Sequence, residues 1–206
     1  MYLVRTELLV RPGGAKEFEE TATRLGQARK GQPGNVGQTL LHSYGSPSKY
    51  ALISRWENAA AQFAWQKSDA FTGIVTALQV TPLGQSAYES VFEVDAPGMD
   101  PTQGHCEVLV DWTLDQRPGV VSEFERTRRE LFELRRQVDK ACLSSRLRRS
   151  AGSPFTYLGF SIYTNAEAAR AGAASPQFQA FQAAHPYTLY ASTPPNIEAF
   201  EVVHRM

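Results

Sequence analysis

The sequence predicts an α+β chain of two ferredoxin-like repeats, each strand-helix-strand-strand-helix-strand, on three observations. The first is an internal match between the two halves. At an offset of 106, Arg11-Pro12-Gly13 falls on Arg117-Pro118-Gly119, and Glu17-Phe18-Glu19 falls on Glu123-Phe124-Glu125. Thr21 then meets Thr127 and Leu25 meets Leu131. At 107, Ser46-Pro47 meets Ser153-Pro154, Tyr50 meets Tyr157 and Asn58-Ala59 meets Asn165-Ala166, with Ser68 on Ser175 and Phe71 on Phe178. At 108, Phe92-Glu93-Val94 meets Phe200-Glu201-Val202. Single-residue drift with unbroken order is the mark of a tandem duplication with loop insertions. The second observation is a break rich in Pro, Gly and Asp, Asp95-Ala96-Pro97-Gly98-Met99-Asp100-Pro101. It divides the chain into 1–95, a linker 96–103 and a diverged second repeat 104–206. The third is periodicity, which switches between strand and helix in the same order in both halves.

Tyr2 to Val10 is rich in strand formers, and Arg11-Pro12-Gly13-Gly14 stops it. Ala15 to Lys30 then carries Phe18, Ala22 and Leu25 at helical spacing, and Gly31-Gln32-Pro33-Gly34-Asn35 ends it. Val36–Tyr44 and Lys49–Trp56 form a hairpin across Gly45-Ser46-Pro47-Ser48. Asn58 caps a helix to about Ser68, a further helical piece runs from Asp69 to Leu78, and Ser86–Val94 is the closing strand. The second half reads His105–Leu114, Gly119–Val138, Ala141–Arg149, Phe155–Tyr163, a helix Asn165–His185, and Ile197–His204. A four-stranded sheet with helices on one face leaves the other face bare. Two copies in one chain resolve this by packing sheet on sheet or closing a barrel, which makes an internal pseudo-dimer the economical arrangement.

Composition narrows the function classes. Lys+Arg and Asp+Glu are both 21, so the formal net charge is zero, and a surface that tracks phosphates is not expected. No apolar run reaches the length of a membrane span, and Met1–Glu7 lacks the basic and apolar regions of a signal peptide, so a cytoplasmic chain without membrane partners is expected. Two cysteines, Cys106 and Cys142, support no disulfide framework and read as buried apolar residues. Histidines do not pair at a metal-ligand spacing, so no metal is expected. Glycine-rich phosphate loops, a G-x-G-x-x-G fingerprint and a G-x-S-x-G elbow are all lacking, which argues against conventional nucleotide-cofactor and serine-hydrolase chemistry.

The stretch Arg55-Trp56-Glu57-Asn58-Ala59-Ala60-Ala61-Gln62-Phe63-Ala64-Trp65-Gln66-Lys67-Ser68-Asp69-Ala70-Phe71 resembles the antibiotic biosynthesis monooxygenase superfamily. The signature is a strand-ending Trp, a polar cap, a helix with a central aromatic, then Ser-Asp-x-Phe. Tyr163-Thr164-Asn165 and Ser175-Pro176-Gln177-Phe178 keep a faded version. The resemblance implies a dimeric α/β barrel, here a fused pair, as a monomer or a homodimer. Trp65 before Ser-Asp-x-Phe is most similar to the haem-degrading branch, which uses an Asn on the first strand, this Trp, and an axial His ten residues later. Thr6 and Val75 occupy those flanking positions here, and Trp112, Gly172 and Gln182 are the equivalents in the second repeat. His185, one helical turn beyond Gln182, is the remaining candidate for a haem ligand.

Three functions therefore stand as expectations. One is a monooxygenase that oxidises an aromatic or polycyclic small molecule with O2 and little or no cofactor. Its pocket would be formed by Trp65, Phe63, Phe71 and Tyr44, with His42 and Thr6 as the polar catalytic candidates. The second is a non-catalytic ligand-binding or assembly barrel, and the third is a haem-binding or haem-degrading protein. On the helix beginning at Asn58, Ala60, Phe63 and Ala64 share the apolar stripe with Lys67, and Trp65 falls off it. Trp56 reads as core, and His105 and His204 as surface. Between Arg126 and Arg149 stand nine Lys/Arg against Glu130, Glu133 and Asp139, and the helical part of this run reads as a solvated face with pairs such as Glu125–Arg129. The alternative for this run is a clamp for an acidic ligand.

Overall fold

A computed structural model describes residues 1–76, 78 and 80–206. The first repeat is β1 (Tyr2–Val10), α1 (Ala15–Lys30), β2 (Asn35–Ser43), β3 (Lys49–Trp56), α2 (Ala59–Gln66), α3 (Asp69–Thr76) and β4 (Val80–Asp95). The second is β5 (Cys106–Thr113), α4 (Val120–Val138), β6 (Cys142–Ser150), β7 (Thr156–Tyr163), α5 (Ala166–Ala173), α6 (Pro176–Ala184) and β8 (Asn196–Arg205). Short 3-10 turns occupy Pro101–Gln103 and Tyr187–Leu189. Hydrogen bonding orders the strands β1-β3-β2-β8-β5-β7-β6-β4. The fold is α+β, built of tandem ferredoxin-like repeats of the dimeric α/β-barrel class.

Local chemistry is duplicated along with the sequence. Arg-Pro-Gly turns before α1 and α4 place Gly13 at φ 77° and Gly119 at φ 79°, the left-handed region that a Cβ disfavours. Thr21 and Thr127 each donate to the carbonyl four residues back, Glu17 and Glu123, at 2.9 Å. Tyr50 donates to Glu19 at 2.8 Å, and Tyr157 to Glu125 at 2.6 Å. Asn58 caps α2 by accepting from Ala61 N, and Asn165 caps α5 by accepting from Ala168 N. Ser68 and Ser175 in turn accept from Phe71 N and Phe178 N.

Two compact units result: residues 1–87 with 202–206, and residues 88–201. In the first, β3 is paired antiparallel to both β1 and β2, and Gln38 exchanges backbone hydrogen bonds with Met206. Its core packs Val4, Leu8, Leu40, Tyr50, Leu52 and Trp56 against Phe18, Ala22 and Leu25 of α1. In the second, β7 pairs with β5 and β6, β6 also with Tyr88–Asp95 of β4, and β5 with Asn196–Glu201 of β8. Its core sets Phe92, Trp112, Leu147 and Tyr157 against Phe124, Leu131 and Phe132 of α4. Fully burying each such large side chain contributes about 2–3 kcal/mol.

Beyond shifts of one or two residues at element ends, two boundaries differ from expectation. The expected helix Asn165–His185 is two helices, because Ser175 caps a new start and Pro176 cannot continue the old one. The closing strand of the first repeat begins six residues early, at Val80; Pro82 and Gly84 disguise it, and its first half is largely exposed. The piece expected from Asp69 to Leu78 is helical over Asp69–Thr76; Ala77 lies outside the described residues, as does Gln79. Among the described residues, no helix is long and apolar enough to cross a membrane.

Candidate functional site

Each unit contains a large cavity between its helices and its sheet. In the first unit the cavity is about 470 Å³, floored by Val4, Thr6 and Leu8 of β1 and by Leu52, Ser54 and Trp56 of β3. Leu25 and Arg29 of α1, Gln62 and Trp65 of α2, and Phe71 and Val75 of α3 form its walls. Period-two alternation makes the floor, since Val4, Thr6 and Leu8 share one face of β1, as Leu52, Ser54 and Trp56 do on β3.

Trp65 is 2% exposed and meets Phe71 edge to face, with centroids 5.8 Å apart. Its indole Nε1 is buried and has no hydrogen-bond partner. Arg29 is 4% exposed, with its guanidinium 5.6 Å from the Trp56 ring and 5.7 Å from the Trp65 ring. It donates to Gln38 Oε1 at 2.5 Å, and Gln38 donates onward to Ala22 O at 3.1 Å. Burial lowers the Arg29 pKa to about 10, so the group stays cationic at neutral pH. Thr6 accepts from Gln85 Nε2 at 3.2 Å.

In the second unit the cavity is about 570 Å³. The repeat register gives it equivalent walls: Trp112 for Thr6, Leu131 for Leu25, Arg135 for Arg29, Ser161 for Ser54, Tyr163 for Trp56, Phe178 for Phe71 and Gln182 for Val75. Gly172 replaces Trp65, and a Cβ there meets the Asp139 carboxylate. Arg135 donates to Ser161 Oγ at 2.6 Å and lies 4.5 Å from the Phe178 ring. Arg128, which replaces Ala22, also lines this cavity. His185 lines it too, with Nδ1 3.2 Å from Phe181 O and its ring stacked on Phe181 at 4.5 Å. Burial pushes the Tyr163 phenol well above its ordinary pKa, so it remains a neutral donor.

The site residues expected from sequence thus separate. Thr6, Trp65 and Phe71 converge on the first cavity and His185 on the second. His42, Tyr44 and Phe63 do not line either cavity. His42 stacks on Tyr50 at 4.5 Å with Nε2 3.1 Å from Pro47 O, while Tyr44 and Phe63 are half exposed. The stripe assigned to α2 is also reversed. Gln62 and Trp65 are buried, and Ala60, Phe63, Ala64 and Lys67 are exposed. Helix α2 turns its bulkiest ring inward at the expense of its smaller apolar residues. Trp56, Cys106 and Cys142 are core, as expected. His204, expected at the surface, is half-buried on β8 with Nε2 unpartnered, and burial lowers its pKa against the opposing charge of Glu19.

The basic run needs the largest revision. Arg128 is buried and Arg135 lines the cavity, because α4 turns Phe124, Arg128, Leu131 and Arg135 to one inner face, and Arg148 is buried on β6. Arg148 and Arg146 pair with Glu93 instead of facing solvent. Glu125 accepts from Tyr157 and lies 3.7 Å from Arg149, while Arg129 sits 4.2 Å from the Phe92 ring, so the expected Glu125–Arg129 pair is replaced. Arg29 was missed altogether, yet its signal is plain: an arginine four residues after Leu25 on the apolar side of an amphipathic helix.

The family model described as antibiotic biosynthesis monooxygenase matches residues 1–77 and again 108–184. The chain is 30% identical over 151 residues to a 42.8 kDa protein in the whiE locus of Streptomyces coelicolor, spanning 69% of this chain and 37% of that one. It therefore covers little more than a third of that relative's length. Among solved structures, a candidate monooxygenase from Fusobacterium nucleatum superposes with a TM-score of 0.80 at 11% identity, over 99% of this chain and 93% of that one. An anthrone oxidase-like protein superposes at 0.72 with 12% identity, over 100% and 92%. With the family's pattern found once in each half and on the fold it predicts, the chain belongs to the antibiotic biosynthesis monooxygenase family.

Proposed function

We propose that the chain is a monooxygenase that oxidises an electron-rich aromatic or polycyclic small molecule with O2, in the cavity of the first unit, without a resident cofactor. The observation that carries this reading is the lining of that cavity: Trp65, Phe71 and Trp56 for planar rings, beside a buried guanidinium and an unpartnered indole N–H. About 470 Å³ lies within the range that takes a drug-sized ligand. Family membership supplies the reaction class.

The residues present do not fit a ligated haem in this cavity. None of its lining residues is a His, Cys, Met or Tyr, and Val75 occupies the axial position of the haem-degrading branch. The substrate's own electrons can instead reduce oxygen. A phenol or enolisable ketone loses a proton to water, and its anion gains from Arg29 and the Trp65 N–H in a site of low dielectric. At an activated CH2 between aromatic rings, the anion adds O2, and loss of water leaves a carbonyl. One oxygen atom enters the product and the other departs as water, so no further reductant is consumed. Thr6 stands at the cavity floor to orient a substrate oxygen.

The test is oxygen uptake with anthrone, whose enol is a tricyclic phenol, in buffer without added reductant or metal. The expected result is equimolar O2 consumption and quinone formation, reduced about tenfold or more in Trp65→Leu. Uptake no faster than in buffer alone overturns the reading. A second reading, haem binding, is favoured by one observation, the position of His185 in the other cavity with Nδ1 held by Phe181 O. A saturable Soret shift with haemin, lost in His185→Ala, would establish it; no shift removes it. A third, a binding or assembly barrel without catalysis, is what remains if both tests fail.

A further inference from the structure

From the second cavity we infer a separate anion site, built to take a planar aromatic carboxylate between Arg128 and Arg135. This goes beyond the reading proposed for the first cavity and does not depend on it.

Arg128 is 8% exposed, and its Nε is buried with no hydrogen-bond partner. Its guanidinium carbon lies 4.9 Å from the Trp112 ring, 5.3 Å from Phe124 and 5.9 Å from Tyr190. Aromatic faces attract the cation but accept none of its N–H groups in the plane, where a carboxylate would bind. Arg135 commits Nη1 to a neutral serine, Ser161. No Asp or Glu occurs among the residues that line the cavity, so two guanidiniums face it without a carboxylate in its wall. Burial lowers the Arg128 pKa to about 10, against the raising influence of Tyr190 and with the help of the neighbouring Arg135, and the group is still charged at neutral pH.

The contrast with Arg148 sharpens the point. That arginine is fully buried and has an unpartnered Nε too, but its other nitrogens donate to the Glu93 carboxylate and to Ser90. Where the fold needs a buried arginine for itself, it supplies the counter-ion, as burial of charge requires. At Arg128 it supplies aromatic rings and an opening. The missing partner is an anion that enters through the cavity and brings its own apolar body. Val108, Val110, Leu131, Phe132, Phe160 and Phe178 provide the walls for that body. A carboxylate matches the planar fork of a guanidinium, and a fused aromatic ring matches walls of this kind.

The experiment is calorimetric titration of the whole chain with naphthoate, and with the uncharged naphthamide as the matched control. Expected are saturable one-to-one binding of naphthoate, at least about tenfold tighter than naphthamide, and loss of that preference in Arg128→Gln and in Arg135→Gln. Gln182→Glu is the control for folding, since Gln182 is an exposed residue at the cavity wall. Its added charge is expected to weaken naphthoate severalfold and leave naphthamide unchanged. The assignment is overturned by no naphthoate binding at millimolar concentration, by equal affinity for acid and amide, or by loss of binding in Trp65→Leu with retention in the arginine variants.

Discussion

The cavities of the two units descend from one ancestor and differ in what they do with a buried positive charge. In the first, Arg29 is held by Gln38 and enclosed by the faces of Trp56 and Trp65. In the second, the equivalent Arg135 is joined by Arg128, the Trp65 position is Gly172, and the volume rises from about 470 to about 570 Å³. The fold itself is untouched by this divergence, because the caps, the Tyr–Glu hydrogen bonds and the Thr back-bonds recur in both. Duplication preserved the residues that shape the backbone and let the lining drift, so ligand preference is free to differ between halves of one chain.

The largest effect that would sharpen this comparison is expected from Trp65→Gly, which gives the first cavity the residue of the second. Removing a fully buried indole and placing Gly in a helix costs about 4–5 kcal/mol, read from urea unfolding. A loss under about 1 kcal/mol would mean that Trp65 is not part of the packed core. Next is Glu93→Gln, which strands Arg148. A loss of about 2 kcal/mol is expected, below the figure for a fully buried pair because Glu93 is partly exposed. Burial works to raise the Glu93 pKa, but the hydrogen bond and charge of Arg148, with Arg146, more than offset this and hold it below the ordinary carboxylate value. Its contribution is therefore complete above that value and is lost as pH falls through the depressed folded pKa. Acid titration of stability is expected to be shallower in Glu93→Gln than in the parent, and parallel curves would exclude this.

A smaller change of opposite sign is expected from Arg128→Met. Deleting a buried cation that has no carboxylate partner raises stability by about 1 kcal/mol, whereas Arg148→Met lowers it. If both substitutions destabilise equally, Arg128 is a structural residue and the contrast between the two arginines fails. Smallest are the caps. Asn58→Ala and Asn165→Ala are each expected to cost about 0.5 kcal/mol, the low end for short helices, and to do so equally. Unequal losses, read from the unfolding midpoint of each variant, would show that the repeats have diverged in their helices as well as in their cavities.

The repeat, the element order and the family were legible because they rest on short-range signals. Arg-Pro-Gly turns, Asn caps and strand alternation act within a few residues, and they survive in both halves. The broken helix α5–α6 was legible in principle through Ser175-Pro176, but uninterrupted apolar spacing on either side concealed it. The site was only partly legible. Thr6, Trp65 and Phe71 came from the family pattern and fall together, while His42 was chosen from alternation on β2 and stacks on Tyr50 instead. Helical periodicity could not decide which face of α2 turns inward, because eight residues with four alanines offer two comparable stripes. Arg29 carries no motif signal of its own, and for the run that holds Arg128 and Arg135 a solvated face outweighs the clamp for an acidic ligand, because charge on a helix ordinarily means solvent. Their positions, in step with Phe18, Phe124 and the leucines of their helices, were the contrary signal.

Gly172 also has a historical meaning. In the first repeat the matching position carries the largest side chain in the cavity wall, and in the second even a methyl group there would meet the carboxylate of Asp139. That carboxylate is not idle, since its other oxygen accepts from Ala141 N at the start of β6. A single substitution to tryptophan must therefore displace an acid that already anchors the next turn. The two cavities therefore do not interconvert by one step: giving the second the tryptophan of the first takes at least two coordinated changes, at Gly172 and at Asp139.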